Sequence, residues 1–390
     1  MSKFLDKVQP KNKKQLKQLI DYVFKHNIYD LNFIDTSKIT DMTLLFSKCN
    51  YNIDISHWDM SNVRNMSYMF YHCKNFNCDL SNWDVSNVTT TFCMFAGCKK
   101  FNSDLSNWNM ANVKTAGYMF TSCESFEGKG LENWDVSNVT DMSHMFNGCE
   151  NFDCDLSKWD TSRVKDMHNM FTGCEKFNCN LSNWDVSNVT NMRYTFYNCN
   201  MFIGKGLENW DVSNAIDAHC MFTGCKIFNR DLSNWDVSNV TDMYSMFTAC
   251  ENFKGKGIEN WDVSKVEDMR YMFRLCKNFD CDLSNWNVSN VVNMRWMFNE
   301  CEMFTGKGLE NWDISNVTNT FGMFYNCKNF NADLSSWKLC NALDIGAMFY
   351  GCENFEGKGI ENWNVSKVID MQGMFKGCNK LTIPDWYDKL

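Results

Sequence analysis

Apolar residues recur along the chain every 25 or 26 residues, and tryptophan marks the period. The series runs through Trp58, Trp83, Trp108, Trp134, Trp159, Trp184, Trp210, Trp235, Trp261, Trp286, Trp312, Trp337 and Trp363. Trp296 and Trp386 fall outside it. A Phe-x-x-Cys step returns in the same register, in fourteen copies from Phe46/Cys49 to Phe375/Cys378. Periods of this length are typical of solenoids, in which each unit buries its apolar side against its neighbours.

Within one repeat, the apolar spacing predicts a short helix and a short strand. The spacings are 3, 3, 1 and 3 in the copy Val139, Met142, Met145, Phe146 and Cys149. That pattern favours about two turns of helix, with Gly148 near its end, where a left-handed residue is useful. In the other half, Trp83 and Val85 lie two apart, the spacing of neighbours on one face of a strand. Stacked in register, the strands are expected to form a parallel sheet with the helices opposite.

The fold class that follows is an α/β repeat solenoid of about 13 coils, spanning residues 34–378 as one domain. Each coil is expected to add one member to an internal structural ladder, as in Trp134, Trp159, Trp184, Phe146, Phe171, Phe196, Cys149, Cys174 and Cys199. Residues 1–33 hold one apolar stripe, from Leu16 to Val23, which predicts an amphipathic capping helix and lead-in. A helix lying on a membrane surface is the alternative. Residues 379–390 are expected to close the other end.

Five repeats carry a Gly-Lys-Gly insertion, which the paired glycines predict to be a bulge with positive φ. The inserted lysines form a spaced row that could follow a polyanion or could be solvated loop tips: Lys129, Lys205, Lys256, Lys307 and Lys358.

The net charge of −9 weighs against a broad surface for nucleic acid or anionic membrane. No apolar run is long enough for a membrane span, and the first residues resemble no secretory signal. Fourteen of the 21 cysteines occupy one column of the repeat, which favours buried, reduced thiols over disulfides. The expected location is therefore intracellular, or in a virion or surface layer reached by a non-classical route.

The repeated string Trp-Asp-Val-Ser-Asn-Val-Thr-Asp-Met-x-x-Met-Phe-x-x-Cys-x-x-Phe-Asn-x-Asp-Leu-Ser resembles the BspA-like leucine-rich repeat family over roughly residues 31–381. The resemblance implies a leucine-rich-repeat type of solenoid and a non-enzymatic role in adhesion or protein-protein contact. Bacterial surface members carry a signal peptide and an anchor, which this sequence does not show.

The polar residues of the repeat are expected to have structural roles. The aspartates after tryptophan, such as Asp84 and Asp135, are expected to accept a backbone N–H two residues on, and a calcium-lined edge is the alternative. Five Asn-Val-Thr sequons are expected at a helix entry, at Asn87, Asn138, Asn188, Asn239 and Asn316. The six histidines are scattered over several columns, so no catalytic residue, metal site or cofactor is predicted.

The most variable repeat positions are the two between the methionines and the one after the phenylalanine. Several of them carry the large side chains favoured in binding hot spots. The candidate partner-binding patch consists of Arg193, Tyr194, Tyr244, Arg270, Tyr271, Arg274, Arg295, Trp296 and Tyr325. Ordinary surface drift after duplication is the alternative. Two functions are predicted: a scaffold that binds a protein or glycan through an extended face, or a structural protein that self-associates in a surface layer, fibre or virion.

Overall fold

The computed structural model describes residues 7–387. The chain forms two compact units that divide after Asn188, and each unit is itself a stack of coils. Residues 1–6 of the predicted lead-in and 388–390 of the predicted closing segment lie outside the described residues. The single array expected across residues 34–378 stays a prediction.

One α-helix, α1 (Lys13–Lys25), precedes the coils of the first unit. Asn12 caps it, because its side-chain oxygen accepts the backbone N–H of Gln15 at 3.0 Å. The buried residues Leu16, Ile20 and Val23 give α1 the single apolar face that the spacing predicted. The helix packs on the first coil, where Lys13 forms an ion pair of 3.0 Å with Asp41. Its role as a cap stays a prediction.

Turns, and not helices, occupy the Met-x-x-Met-Phe-x-x-Cys segments. The N–H groups of Met145 and Cys149 donate to carbonyls three residues earlier, those of Met142 and Phe146, at 3.2 and 3.0 Å. The third residue of each turn has positive φ: 54° at His144 and 72° at Gly148. This geometry matches type II turns, which place apolar residues three apart just as a helix does. The predicted two-turn helix is therefore replaced by consecutive turns.

Backbone hydrogen bonds join each coil to the next through every second residue of this segment. His144 N–H donates to the His168 carbonyl at 2.9 Å, and Phe146 N–H donates to that of Met170 at 2.9 Å. The third residue of each turn is left-handed, and this conformation orients every second N–H group towards the following coil. The coils pair in parallel through isolated bridges such as Asp141↔Asp166 in the first unit and Asp242↔Asp268 in the second, at the start of the segment that was predicted to be helical.

The strand predicted at Trp83 and Val85 is not formed. These residues lie in two further turns, in which Trp83 N–H donates to Leu80 and Val88 N–H donates to Val85. Among residues 7–387, β pairing is limited to isolated bridges, and most of these occur at the residue, usually Asp or Asn, that precedes the first methionine position of the repeat. Four short 3-10 helices complete the regular structure of the described residues: Leu131–Asn133 in the first unit, and Leu207–Asn209, Leu309–Asn311 and Ile360–Asn362 in the second.

Columns of identical side chains fill the interior of each unit. In the first unit, the rings of Trp134 and Trp159 stack 6.4 Å apart, and those of Phe146 and Phe171 lie 5.7 Å apart. The thiol of Cys174 donates to the Phe146 carbonyl at 3.0 Å. In the second unit, Phe196 packs 5.7 Å from Phe222, and the thiol of Cys225 donates to the carbonyl of Phe196. Buried polar groups are thus paired between coils.

The tryptophan column of the second unit extends beyond the repeats. Trp386 was expected to fall outside the series, but its ring stacks 6.3 Å from that of Trp363. Its indole N–H donates to the carbonyl of Ile360 at 2.8 Å, which is the bond that the repeat tryptophans make with the preceding coil. The interval from Trp363 to Trp386 is shorter than the repeat period, so the fixed spacing did not identify Trp386 as a member of the column.

The Gly-Lys-Gly insertions adopt positive φ, as predicted. Gly128 and Gly130 have φ of 89° and 91°. The backbone carbonyl of Lys129, between them, accepts a hydrogen bond of 3.1 Å from the N–H of Leu105 in the preceding coil. A side chain at Gly130 would lie 2.2 Å from the backbone nitrogen of Ser106, so this position requires glycine for contact as well as for conformation.

Candidate functional site

The nine residues of the candidate partner-binding patch all belong to the second unit, and all are half-buried. Seven of them lie in the turn between the two methionine positions of the repeat, and Arg274 and Tyr325 follow the column of phenylalanines. Because turns replace the predicted helices, each side chain projects from a turn that is fixed by hydrogen bonds to the next coil. Tyr271 N–H, for example, donates to the Arg295 carbonyl at 3.0 Å.

The first group of patch side chains surrounds Tyr244. The Tyr271 ring meets it edge-on at 5.5 Å, and the guanidinium of Arg270 lies over it, 5.0 Å from the ring centroid. His219 contacts the Tyr244 ring at 6.1 Å and the Tyr194 ring at 4.7 Å. Cation-π and edge-on ring contacts of this kind hold side chains in place without a buried core around them.

The second group surrounds Phe321. The ring of Trp296 meets that of Phe321 at 5.2 Å, and the guanidinium of Arg295 lies 4.9 Å from the centroid of the same ring. Trp296 also contacts Tyr325 at 5.3 Å, and Tyr325 stacks on Tyr350 at 4.6 Å. Because Tyr271 is bonded through its backbone to Arg295, the two groups stand on neighbouring coils and form one surface.

Acidic residues beside the patch balance its arginines. Asp268 forms an ion pair with Arg270, whose pKa is raised chiefly by the hydrogen bond to that carboxylate. Burial raises the pKa of Asp242, which lies 4.0 Å from His219. A hydrogen bond of 3.0 Å joins the Nε of Arg274 to the Oδ1 of Asn299. The surface therefore combines aromatic rings with four arginines, of which Arg270 forms an ion pair with a carboxylate.

Two arginines retain buried donors. The Nε atoms of Arg193 and Arg295 are shielded from solvent and have no hydrogen-bond partner among the described residues. The guanidinium of Arg295 lies over the ring of Phe321, which takes the place of a hydrogen-bond acceptor. An unpaired buried donor costs free energy, so a partner oxygen that reached it would be bound favourably.

Several residues of this surface were missed: His219 and Phe321 because only Arg, Tyr and Trp were selected from the sequence, and Tyr350 because the column of Tyr325 was not followed into the next coil. His219 and Phe321 occupy the same repeat position as Tyr244, Arg270 and Arg295. Tyr350 occupies that of Tyr325. Reading each variable column through to its end, whatever the residue type, would have found all three.

The other candidate groups of the repeat have structural partners. The Oδ1 of Asp84 accepts the N–H of Ser86 at 3.0 Å and that of Asp135 accepts the N–H of Ser137 at 3.0 Å, which confirms the predicted side-chain turns. The alternative of a calcium-lined edge gains no support, because no group of three or more His, Cys, Asp or Glu side chains in residues 7–387 could hold a metal ion.

The sequon asparagines bind the preceding coil and do not cap helices. Their side-chain amides donate to backbone carbonyls there at 2.7 or 2.8 Å in Asn87, Asn138, Asn188, Asn239 and Asn316. Four lysines of the insertions form ion pairs with aspartates of the preceding coil: Lys129 with Asp104, Lys256 with Asp231, Lys307 with Asp282 and Lys358 with Asp333. Because these lysines are already paired with aspartates, we expect the row to bind a polyanion less strongly than free lysines would.

The cysteines are all free, and most are buried. Burial raises the pKa of the column thiols, as at Cys149, and their S–H groups bind carbonyls, as predicted for reduced side chains. A search of the helices within residues 7–387 finds none that is long and apolar enough to cross a membrane.

Two solved structures are similar to the chain. One is a TLR13-ssRNA13 complex, at 10% identity and a TM-score of 0.24, with 95% of this chain and 55% of that chain covered. The other is the LRR ectodomain of the plant membrane receptor kinase GASSHO1/SCHENGEN3 from Arabidopsis thaliana in complex with CASPARIAN STRIP INTEGRITY FACTOR 2. It matches at 11% identity and a TM-score of 0.24, with 92% and 50% covered. The chain spans about half the length of each.

No curated protein matches the chain. The closer resemblance to BspA-like repeats stays a prediction. One family profile matches almost the whole sequence in overlapping segments, at residues 14–129, 117–234, 191–307, 220–336 and 294–387. The chain therefore belongs to the family described as Mycoplasma protein of unknown function, DUF285.

Proposed function

We propose that this protein is a non-enzymatic scaffold, of leucine-rich-repeat type, that binds a protein or glycan partner through the aromatic and arginine surface of its second unit. The observation that supports the proposal is the continuity of that surface. Tyr194, Tyr244, Tyr271, Trp296 and Tyr325 come from different coils, and each contacts another member or its neighbour. Arginine and aromatic side chains dominate binding hot spots in protein interfaces.

Preorganisation is the second support. Each side chain of the surface is half-buried, and all except Arg193 are held by ring contacts, cation-π contacts, an ion pair or a side-chain hydrogen bond. Binding through such a surface loses little side-chain entropy, which otherwise costs about 0.5–1.5 kcal/mol per immobilised side chain. Random drift would not be expected to maintain mutual contacts over several successive coils.

A photo-crosslinking experiment tests the proposal. A benzophenone side chain at Phe321 is expected to capture a partner in extracts of the source cells, whereas the same group at Lys256 is not. Lys256 belongs to the same unit but is an exposed loop residue paired with Asp231. The captured partner is then purified and its affinity measured by calorimetry. A glycan array carries out the same comparison for carbohydrate.

Trp296→Ser supplies the matched variant, because Ser245 occupies the same repeat position and the turn therefore accepts serine. We expect the affinity to fall at least tenfold, which corresponds to about 1.4 kcal/mol or more. Lys256→Ala should leave it within about twofold, because an exposed ion pair contributes little. Equal capture from both sites, or an unchanged affinity of Trp296→Ser, would refute the assignment of the surface.

Self-association as a structural protein is the second candidate, and exposed apolar residues of the second unit favour it. Ile216, Val292, Leu343 and Ile369 share one repeat position, and they are 52%, 46%, 43% and 83% exposed. Light scattering over a wide concentration range tests this function. A mass that grows with concentration, and returns to that of a monomer in Ile369→Thr, would support it. Thr89 and Thr318 show that threonine fits that position.

A further inference from the structure

Side chains of two neighbouring coils of the patch lie in opposite directions. The guanidinium of Arg270 lies 5.0 Å from the ring centroid of Tyr244 in the preceding coil, and the ring of Tyr271 meets the same ring at 5.5 Å. In the next coil, Arg295 and Trp296 lie against the coil that follows. No ring contact, ion pair or side-chain hydrogen bond within residues 7–387 joins one pair to the other. We call the boundary between them the arginine seam and define it by Arg270, Tyr271, Arg295 and Trp296.

Glycines in the later coils make room for the second pair. Arg295 and Trp296 lie 4.9 and 5.2 Å from the centroid of the Phe321 ring. A Cβ at Gly322 would lie 2.7 Å from the indole of Trp296, and a Cβ at Gly346 would lie 3.0 Å from the ring of Phe321. Larger residues at these two positions would push the rings back. The arginine seam therefore follows from the sequence of the coils that come after it.

The polar groups of the arginine seam include donors without partners. The indole N–H of Trp296, the hydroxyl of Tyr271 and the terminal nitrogens of Arg295 make no hydrogen bond with a described residue, and they are not shielded from solvent. By contrast, Trp286 of the same coil donates its indole N–H to the carbonyl of Ile258 at 2.8 Å. An indole and a guanidinium can only donate, so they favour an occupant that only accepts, as an ionised carboxylate does.

One positive charge of the arginine seam has no counter-charge. Asp268 forms an ion pair with Arg270, but the same repeat position is Asn293 in the coil of Arg295 and Asn319 in the coil after it. Within the described part of the chain, no carboxylate forms an ion pair with Arg295. Asn293 keeps the turn, because its Oδ1 accepts the N–H of Arg295 at 3.0 Å, as that of Asp268 accepts the N–H of Arg270 at 2.9 Å. The turn is thus preserved while the negative charge is lost.

We propose that the arginine seam binds one carboxylate group, carried by an aspartate or glutamate side chain of a protein partner. Arg295 supplies the charge for a charge-assisted hydrogen bond, and Trp296 and Tyr271 supply further donors. A phosphate group carries a charge of about −1.5 to −2 at neutral pH, which exceeds the single charge available. The hydroxyls of an acidic sugar would need acceptors as well as donors. The inference rests on the function proposed above, because it names the chemistry of the partner at the same surface.

The test uses the full chain and a small peptide probe, N-acetyl-leucyl-glutamyl amide, which carries one carboxylate. Ligand-observed NMR at low ionic strength is expected to show saturable binding with a Kd on the order of millimolar, as expected for so small a ligand. The glutaminyl analogue has the same shape without the charge and should bind at least tenfold more weakly. Equal binding of the two probes would overturn the carboxylate as the occupant. Absence of saturable binding of the glutamyl probe would overturn the site.

Competition experiments separate the possible sources of the negative charge. Inorganic phosphate and methyl glucuronide should each displace the glutamyl probe at least tenfold less effectively than an unlabelled copy of that probe does. Displacement by either one at the concentration of the peptide, or below it, would overturn a protein side chain as the occupant.

Two substitutions of the same repeat position should act in opposite directions. Asn293→Asp adds a carboxylate beside the seam without removing a donor, so probe binding should weaken at least tenfold. Asp268→Asn frees Arg270, and binding should strengthen about threefold, the contribution of one exposed ion pair. Each variant introduces a residue that the column already carries, which favours a folded protein. Undiminished binding to a folded Asn293→Asp protein, or weaker binding to Asp268→Asn, would refute the proposal.

Arg230→Gln is the control for loss of positive charge in the same unit. The Nε of Arg230 donates to the carbonyl of Ile203 at 3.0 Å, and Arg230 does not belong to the patch. Probe binding to this variant should stay within about twofold of that of the unsubstituted protein, because a distant exposed charge is screened. A loss equal to that of Asn293→Asp would show that binding follows net charge alone and would overturn the site.

Failure of this inference can be distinguished from failure of the function proposed above. A captured partner whose affinity falls in Trp296→Ser but is unchanged in Asn293→Asp would keep the scaffold and overturn the carboxylate. If no partner is captured, the proposed function fails, and the response of the glutamyl probe to Asn293→Asp then decides whether the arginine seam is a carboxylate site.

Discussion

A glycine-to-alanine pair measures how tightly the Gly-Lys-Gly insertions fit the preceding coil. Gly130 has a φ of 91°, and an added Cβ would lie 2.2 Å from the backbone nitrogen of Ser106. Gly173 has a φ of 70°, but its nearest neighbour would be 3.7 Å away. Both substitutions strain a left-handed backbone, at about 1–2 kcal/mol. The turn position of Gly173 also accepts alanine elsewhere, at Ala249.

Only Gly130→Ala forces two backbones apart. Its Cβ cannot be relieved by rotating a side chain, because the contacts are to backbone atoms of Leu105 and Ser106. Separation would break the 3.1 Å hydrogen bond from Leu105 N–H to the Lys129 carbonyl, which adds about 1 kcal/mol to the strain. We therefore expect Gly130→Ala to destabilise by about 3 kcal/mol or more, and Gly173→Ala by about 1 kcal/mol.

Urea unfolding followed by tryptophan fluorescence measures the difference through the transition midpoints. Stacked repeats can unfold in parts, so hydrogen exchange at the Leu105 amide provides a local reading. In Gly130→Ala this amide should exchange faster, whereas in Gly173→Ala it should keep its protection. If the two variants share one midpoint and one exchange rate at Leu105, the contact inferred at the insertion is wrong.

Three further predictions concern the columns and the side-chain turns. Trp159→Phe removes the indole N–H that donates to the Leu131 carbonyl at 2.8 Å, so thermal unfolding should show a loss of about 1–3 kcal/mol; equal stability would contradict the role of that bond. A thiol reagent should label the exposed Cys340 in the native protein before buried Cys149, as read by mass spectrometry, and the reverse order would contradict the burial. The Ser106 hydroxyl and then Lys129 lower the pKa of Asp104 from 3.8 to about 2. A depressed native pKa stabilises the fold above pH 4, and this contribution is lost as pH falls to about 2. Urea midpoints should therefore drop over that window, and less so in Asp104→Asn.

The repeat period and the interior columns could be predicted from the sequence because they depend on apolar spacing alone. The local conformation could not. Apolar residues three apart fit a helix and a series of turns equally well, and the left-handed conformation falls on residues such as His144 as well as on Gly148. A frequent glycine before the column cysteine was the available signal, since a type II turn favours glycine there.

The candidate surface was predicted in part for a related reason. Large residues at variable positions, such as Trp296, are easily recognised in a sequence, so those side chains of the surface could be predicted. His219 and Phe321 escaped it because they are recognised as part of the surface only through their contacts with Tyr244 and Arg295. Finding them requires knowing which repeat positions become neighbours in space.

Within the turn segment, the backbone hydrogen bonds between coils run in one direction, and those of the tryptophan and cysteine columns run in the other. The backbone N–H of Phe146 donates forwards to Met170, whereas the indole of Trp159 and the thiol of Cys174 donate backwards to Leu131 and Phe146. Cutting a stack between two coils therefore creates two chemically different faces. One face bears the unsatisfied amide hydrogens of the turn segment. The other bears indole and thiol hydrogens without acceptors, together with single amide hydrogens such as that of Lys165, which donates to Thr140 of the preceding coil. Two fragments can rejoin in only one polarity, so head-to-head assembly of these coils is disfavoured by their own chemistry.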